Sequence, residues 1–223
     1  MIRCVVEDWK VKHSEGPKDH KNDGEGAATP PDDAIAAYLS RPHPRKLSGP
    51  WRIGWTLEFH SQFCGGEWKR SSTGELAYRL KYQADRSVLP ALINQAVELG
   101  ADHPDLFQVD AIIPVPPSMQ RPNDPVTSFA SLLAERMGLN TMLALKKVKE
   151  TVQQKEMHTS ASKRSNVAGA FALTTQVKGK RLLVVDDLFD SGATLEEIYR
   201  VLRNAGAAEV FVLTITKSIH SEA

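Results

Sequence analysis

The amino-acid sequence predicts a doubly wound α/β fold with a mostly parallel sheet, and three observations support this prediction. From Gly74 onward, segments with helical apolar periodicity alternate with short apolar runs. The run at residues 182–185 is apolar at every position, which is typical of a parallel strand buried on both faces. Glycines at positions 100 and 206 follow two of the helical segments, where a glycine commonly ends a helix.

The elements of this α/β part follow one another in a regular order. Helices are predicted around Leu76 and Leu80 and over residues 88–99, 128–137 and 195–204. Strands are predicted over residues 109–115, 142–148, 167–173, 181–185 and 210–216. The first two of these strands and the helix between them would form a parallel crossover unit, and residues 181–185 would form the central strand.

Residues 1–73 are predicted to be an N-terminal extension to a domain formed by residues 74–223. Residues 13–33 are rich in charged residues, glycine and proline and carry almost no large apolar side chain, so we expect a flexible linker there. A short strand is expected before the linker, near residues 2–6.

The rest of the extension has the pattern of a small β-rich hood. Apolar and polar residues alternate from Trp51 to Phe59, which predicts a strand with one apolar face. Gly65 and Gly66 suit a hairpin turn into a second strand at residues 67–70. Together these strands would cover the end of the sheet.

Composition limits the functional classes. The chain has 28 Lys and Arg against 27 Asp and Glu, and its formal net charge of +1 does not support a surface built to bind a nucleic-acid backbone. Its two cysteines have no CxxC spacing, which indicates a reducing compartment. The sequence has neither a signal-peptide apolar core nor eighteen consecutive apolar residues. We therefore expect a cytoplasmic protein without a membrane partner.

The segment from Val185 to Thr194 carries the functional signal. A buried strand is predicted to end on two adjacent carboxylates, turn through Ser-Gly-x-Thr and start a helix at Leu195. Amide groups at a helix N-terminus offer unpaired donors and a partial positive charge, which favour a phosphate. Gly192 permits a close backbone approach, and the neighbouring hydroxyls can donate to phosphate oxygens. The expected 5′-phosphate loop consists of Asp190, Ser191, Gly192, Ala193 and Thr194.

Asp186 and Asp187 have the wrong charge for a phosphate contact and are expected one sugar away. There they could accept hydrogen bonds from vicinal ribose hydroxyls and help to hold a hard divalent cation. Mg²⁺ usually keeps phosphates and waters as ligands, so both carboxylates would reach this metal largely through substrate and water. A phosphate at one end and a diol at the other describe a ribose 5-phosphate.

The segment has two other interpretations. A Walker B strand would require a G-x-x-x-x-G-K-[ST] loop, which the sequence lacks. Alternatively, Asp190 or Ser191 could merely cap the following helix. Capping alone does not call for three carboxylates and a glycine together.

The same run resembles the phosphoribosyl pyrophosphate (PRPP) binding motif of the type I phosphoribosyltransferases. That motif has four apolar residues, two acidic ones, two more, a small or acidic residue, Ser/Thr, Gly, any residue and Thr, and residues 182–194 match it completely. Further residues are similar in order and spacing to the ComF-like branch, which is associated with DNA uptake: Gln154, Arg164, Asn166, Gly169 and Phe171, with Ile113 to Pro116 upstream. The resemblance covers about residues 75–218.

Three departures from that branch matter. The chain has only Cys4 and Cys64, too few for the four-cysteine zinc ribbon common there. The basic stretch usual after the proline strand is replaced by residues 121–125, Arg-Pro-Asn-Asp-Pro, which weakens a role tied to nucleic acid. Asp190 stands where ComF-like chains usually have threonine, and here the chain resembles the 6-oxopurine transferases, in which this aspartate is a base near the purine ring.

The resemblance also implies further site residues and a homodimer. It places the pyrophosphate loop after the strand at 109–115, with Pro117, Ser118, Arg121 and Lys147 near the diphosphate. It implies a flexible loop over residues 149–165 that closes over PRPP and excludes water, with Lys155 and Arg164 among its basic residues. A plain strand end with prolines and a solvated basic loop are the alternatives.

Three functions follow from these observations. The first is a Mg²⁺-dependent enzyme that transfers phosphoribosyl between PRPP and a nitrogenous, purine-like acceptor, with Asp190 as the catalytic base or as a structural residue. The second is a PRPP or nucleotide sensor without transfer activity, and the third is an accessory protein of DNA uptake. Asp190 and the basic loop favour the enzyme, because a sensor requires neither.

Overall fold

The computed structural model describes residues 41–64, 66–117, 124–151 and 159–219. The predicted strand at 2–6, the linker at 13–33, Ser118, Arg121 and Lys155 lie outside the described residues. The strands are β1 (Arg45–Lys46), β2 (Ile53–Phe59), β3 (Ser61–Cys64), β4 (Glu67–Arg70), β5 (Ala111–Pro114), β6 (Asn140–Thr141), β7 (Leu145–Lys147), β8 (Phe171–Leu173), β9 (Arg181–Phe189) and β10 (Glu209–Lys217). The helices are α1 (Ser72–Tyr82), α2 (Leu89–Asp102), α3 (Pro125–Met137), α4 (Ser160–Val167) and α5 (Ala193–Asn204).

A six-stranded sheet in the order β1-β2-β10-β9-β5-β6 forms the centre of the fold. All its neighbouring strands are parallel except β1, which pairs antiparallel with β2 at one edge. β9 and β10 are each nine residues long and pair along their whole length, from Glu209 opposite Arg181 to Lys217 opposite Phe189.

Each face of the sheet is covered by its own hydrophobic cluster. Leu183 and Val185 point to the face packed by α1, α2 and α3. Leu182 and Val184 point to the opposite face, which α5 packs. Continuous burial of residues 182–185 therefore reflects helices on both sides, and the predicted doubly wound α/β class is confirmed. In the described part of the chain, no helix combines the length and the apolar character needed to cross a membrane.

The strand predicted within residues 51–59 forms, but its place was wrong. β2 lies in the central sheet, parallel to β10, and is not part of a hood hairpin. Both of its faces are covered, because the neighbouring residues Thr56 and Leu57 point to opposite faces and are both fully buried. On the Thr56 face, the carboxylate of Glu58 accepts hydrogen bonds from the start of α1. The hairpin consists instead of β3 and β4, with Phe63 opposite Trp68.

Two predictions in the middle of the chain also need correction. The single strand expected at 142–148 is shorter than predicted: β7 occupies its middle and pairs antiparallel with β8 as a separate ribbon. The strand that joins β5 in the central sheet is β6, which lies just before the predicted range. α2 does not end at Gly100 but continues to Asp102. A Cβ on Gly100 would lie 2.7 Å from the Phe107 ring, so this glycine allows close packing rather than ending the helix.

The segment expected to be a loop at 149–165 is partly helical. α4 begins inside it, with a capping box in which Thr159 and Ser162 bond each other's backbone amides. The capping box thus stabilises the start of a helix whose sequence has no apolar periodicity. The central strand likewise runs past the predicted end at residue 185, because β10 pairs with it as far as Phe189.

Candidate functional site

The candidate site lies where β9 extends past its neighbour β5. The last pair between these strands is Pro114 with Val185, and the Val115 amide donates to the Val185 carbonyl at 2.9 Å. Asp186 and Asp187 therefore lie inside β9 and not at its end, with β10 on one side and no further strand pairing on the β5 side in the described ranges. Ligands of open α/β sheets bind at such crevices beyond the carboxyl ends of strands.

The turn from β9 into α5 presents helix amides without a side-chain cap. Gly192 is the N-cap residue, with φ 77° and ψ −8°, and its carbonyl accepts from the Glu196 amide at 2.8 Å. A Cβ at this position would lie 3.1 Å from the Phe189 ring and require a left-handed backbone, so glycine suits both constraints. Ser191 Oγ lies 3.4 Å from the Ala193 nitrogen, which is a long contact for a cap. Helix α5 starts at Ala193 rather than at Leu195, and its first-turn amides suit an anion.

Asp186 and Asp187 differ in environment although they are adjacent. The Asp187 amide donates to Asp186 Oδ1 at 2.8 Å. Burial, followed by the negative charge of Asp187, raises the pKa of Asp186 well above its usual range. Asp187 instead forms an ion pair with Lys81, whose Nζ lies 2.5 Å from Asp187 Oδ2.

Lys81 is a residue that the sequence patterns did not single out. It lies near the end of α1, more than a hundred positions before the motif it contacts. Burial acts to lower the pKa of Lys81, but the charge and hydrogen bond of Asp187 outweigh burial, so this pKa is raised and the ammonium form persists. No local signal in the sequence could have joined the two residues, because only the packing of α1 against the sheet does so.

Asp190 is held from two sides. Lys163 Nζ, on α4, lies 2.5 Å from Asp190 Oδ2, and the Ser218 hydroxyl donates to Asp190 Oδ1 at 2.9 Å. Ser218 directly follows β10, and its amide donates to the Phe189 carbonyl. Asp190 therefore has an oriented carboxylate beside the open start of α5 and does not serve as the helix cap.

His60 lies at the same edge of the sheet. Lys217 of β10 is paired with Phe59, the last residue of β2, and with Phe189, the last residue of β9. His60, which follows β2, and Asp190, which follows β9, therefore lie at the same level of the sheet. Nδ1 of His60 is buried and has no hydrogen-bond partner among the described residues. Burial, and then the charges of Arg70 and Lys81, lower the pKa of His60, so its imidazole is predominantly neutral near pH 7.

The other predicted site residues are more scattered. Pro117 is half-buried after β5. Lys147 donates to the Thr151 hydroxyl at 2.6 Å, and burial lowers its pKa. Arg164 lies on α4 and pairs with Glu196 of α5 at 2.7 Å, so the loop predicted around it is helical at this position. The structure brings together Asp186 to Thr194 with Lys81, Lys163 and Ser218, whereas the described contacts of Lys147 and Arg164 are to other residues.

The described residues do not form a metal site of their own. No group of three or more His, Cys, Asp or Glu side chains in these ranges is arranged to hold a metal ion. Asp187 is already paired with Lys81, and Asp186 has a raised pKa. The acid pair fits a Mg²⁺ ion carried by substrate phosphates and water, with indirect support from the carboxylates.

Parts of this sequence are similar to known proteins. The family described as phosphoribosyl transferase domain matches residues 127–222. Competence protein F of Haemophilus influenzae is 27% identical over 191 residues, covering 74% of this chain and 82% of the relative.

A comparison with solved structures gives partial matches. Glutamine PRPP amidotransferase from B. subtilis, complexed with ADP and GMP, is 25% identical with a TM-score of 0.45; the match covers 66% of this chain and only 33% of the amidotransferase. Purine phosphoribosyltransferase from Pyrococcus horikoshii Ot3 is 20% identical with a TM-score of 0.39, covering 59% of this chain and 77% of that one. The sequence matches and the complete motif on β9 and α5 lead to one conclusion: residues 127–222 carry the features of a phosphoribosyl transferase domain, and the chain resembles competence protein F in sequence.

Proposed function

We propose that the protein is a Mg²⁺-dependent phosphoribosyltransferase that uses PRPP and a nitrogenous, purine-like acceptor. The observation that carries this proposal is the placement of Asp190. Its carboxylate is oriented by Lys163 and Ser218 and lies directly before the uncapped N-terminus of α5. A binding protein for sugar phosphates needs the helix terminus, but it does not need an oriented carboxylate beside it.

The ribose 5-phosphate part of PRPP would bind along the β9–α5 segment. The 5′-phosphate would accept hydrogen bonds from the first-turn amides of α5 and from the Ser191 and Thr194 hydroxyls. The diol would face Asp186 and Asp187. The diphosphate would extend toward the residues that follow β5, among them Pro117, Ser118 and Arg121. Its negative charge could also be neutralised by the basic residues Lys147, Lys155 and Arg164.

Transfer requires a bond exchange at C1 of the ribose. The lone pair of the acceptor nitrogen forms a bond to C1, and the C1–O bond breaks with its electron pair leaving on the diphosphate. The proton of the acceptor ring nitrogen passes to the Asp190 carboxylate, which acts as the general base. The charge on the departing diphosphate is neutralised by Mg²⁺ when that ion is bound.

A second function is favoured by the relative named Competence protein F. On this alternative the protein binds PRPP or a nucleotide without transfer and acts as a regulator or as an accessory of DNA uptake. For either function we propose a cytoplasmic homodimer, which light scattering of the purified protein would test.

One assay separates the two functions. The protein is mixed with PRPP, Mg²⁺ and a panel of purine and pyrimidine bases, and pyrophosphate release is followed. We expect release with at least one base, and none from the Asp186→Asn, Asp187→Asn double variant. If no base triggers release while calorimetry records PRPP binding that the double variant abolishes, the enzyme proposal is wrong and the binding function replaces it.

A further inference from the structure

The ion pair between Lys81 and Asp187 lies at the point where the proposed function would place the ribose diol. Its Nζ–Oδ2 distance is 2.5 Å, and the side chains of Lys81 and Asp187 retain 36% and 21% of their exposure. A lysine ammonium carries three donors and one positive charge. It therefore neutralises Asp187 while leaving that carboxylate able to accept hydrogen bonds from sugar hydroxyls.

The position of Lys81 is fixed by how α1 is attached to the end of β2. Ser71 caps α1, accepting from the Gly74 amide at 2.9 Å and donating to the Phe59 carbonyl at 2.6 Å. The Glu58 carboxylate accepts from the Thr73 amide at 3.1 Å. A Cβ on Gly74 would lie 2.0 Å from the His60 carbonyl oxygen, so only glycine allows this approach.

Apolar packing holds the same helix from below. Ala77 and Leu80 are buried in the cluster that covers this face of the sheet. Leu80 directly precedes Lys81 in the sequence. The helix is thus anchored by caps at its start and by the core along its length. Lys81 consequently points at the acid pair before any ligand arrives, and no reorganisation is needed on binding.

We propose that Lys81 supplies, at the acid pair, the positive charge that a divalent cation would otherwise supply, so that the ribose 5-phosphate group binds there without a metal ion. This inference rests on the proposed function. Mg²⁺ would then enter the site only as an ion bound to the diphosphate of PRPP. Lys81 acts through Asp187 and is a positioning residue rather than a catalytic one.

The test uses ribose 5-phosphate, which has no diphosphate to carry Mg²⁺. Calorimetry measures its affinity for the full chain in EDTA and in Mg²⁺. For the unmodified protein we expect the two dissociation constants to agree within about threefold. For Lys81→Met we expect about a tenfold or larger loss in EDTA, a loss of the size typical of one charge-assisted hydrogen bond, with partial recovery in Mg²⁺. Lys81→Arg should keep most of the affinity in EDTA.

Two further variants control this test. Arg79→Met removes a charge from the same helix, but Arg79 pairs with Asp85 and should leave the affinity unchanged in both buffers. Lys81→Gln keeps a donor near Asp187 without the charge, and it replaces Lys81→Met if that variant does not fold. A second readout is Mn²⁺ binding to the ligand-free protein, followed by electron paramagnetic resonance. We expect it to tighten when Lys81 is replaced, because Asp187 is then uncompensated.

The outcomes are distinct. If the unmodified protein binds ribose 5-phosphate only with Mg²⁺, or if loss of the Lys81 charge changes neither the EDTA affinity nor Mn²⁺ binding, the role of Lys81 is overturned and the proposed function stands. If the unmodified protein does not bind ribose 5-phosphate in either buffer, the proposed function falls, and the role of Lys81 falls with it.

Discussion

Two lysine–aspartate pairs flank the candidate site, and they are supported in different ways. Lys81 pairs with Asp187 from α1, a helix whose Ala77 and Leu80 are in the core and whose start is capped onto β2. Lys163 pairs with Asp190 from α4, a polar eight-residue helix that places Val167 in the cluster on the α5 face and is otherwise held by its capping box and by an ion pair with α5. Apolar burial is worth more than exposed polar contacts, so we expect the α1 pair to be the fixed one.

This difference suits the two roles. A residue that fixes the charge of a sugar site benefits from a rigid support, whereas a carboxylate that accepts a proton must exchange its partners during the reaction. The α4 side, with its weaker support, can release Asp190 at lower cost. Substitutions on the α1 side and on the α4 side should therefore have different effects.

The largest effect is expected at Asp190. Asp190→Asn keeps the size of the side chain but removes the base, so turnover should fall by about a hundredfold or more, the usual contribution of general-base catalysis. PRPP affinity should change only a few fold, since the phosphate contacts come from α5. Pyrophosphate release and calorimetry measure the two quantities, and undiminished turnover would remove Asp190 from catalysis.

The next effect concerns the α1 support. Gly74→Ala would place a methyl group 2.0 Å from the His60 carbonyl oxygen, so α1 must shift, and overpacking of this kind costs about 1–3 kcal/mol. Without the clash, alanine would stabilise the helix by about 1 kcal/mol. A decrease in the free energy of unfolding would therefore indicate the clash, and an increase would indicate its absence. Urea unfolding measures the change. The losses of ribose 5-phosphate affinity caused by Gly74→Ala and Lys81→Met should not add, because both act on the position of one ammonium group.

How much of the site could be predicted depended on distance along the chain. Asp186 to Thr194 are contiguous, so one strand and one turn carry the proposed phosphate loop and the two adjacent aspartates. Lys81 and Ser218 come from α1 and from the end of β10, and only tertiary packing brings them there. The hydrophobic periodicity of the sequence does not indicate contacts between residues so far apart in the chain.

The fold shows the same limit. The alternation in residues 51–59 correctly indicated a strand, but its partner depends on β10, and burial of Glu58 is explained only by its hydrogen bonds to α1. The helix α4 was missed because its stability comes from Thr159 and Ser162 at its start rather than from an apolar stripe. Local patterns thus found most elements and left their neighbours undetermined.

A smaller effect is expected from Asp186, the partly buried neighbour of Asp187 in β9. Its folded pKa is raised above the unfolded value, so the wild type loses stability as pH rises from about 4 through that raised pKa. Asp186→Asn can still accept from the Asp187 amide and should be more stable near neutral pH, by roughly 1 kcal/mol for each unit by which the pKa is raised. The advantage should vanish toward pH 4 in urea unfolding.

A neighbouring carboxylate provides the matched control for Asp186. Hydrogen bonds from Ser87 and then Arg79 lower the pKa of Asp85. The sign is therefore opposite, and Asp85→Asn should reduce stability near neutral pH, with a deficit that shrinks as pH falls through the lowered pKa. If Asp186→Asn also reduced stability near neutral pH, the ionised Asp186 carboxylate would not be a cost to folding.

The smallest effect is expected for the ion pair that joins α4 to α5. Arg164 and Glu196 lie 2.7 Å apart, but their side chains retain 56% and 31% of their exposure, so water screens the interaction. A double-mutant cycle with Arg164→Met and Glu196→Gln should give a coupling energy of about 0.2–1 kcal/mol in the free energy of unfolding. A coupling of several kcal/mol would mean that α4 is fixed as firmly as α1. The contrast between the two lysine–aspartate pairs would then disappear, and with it the reason for expecting Asp190 to exchange its partner more readily than Asp187.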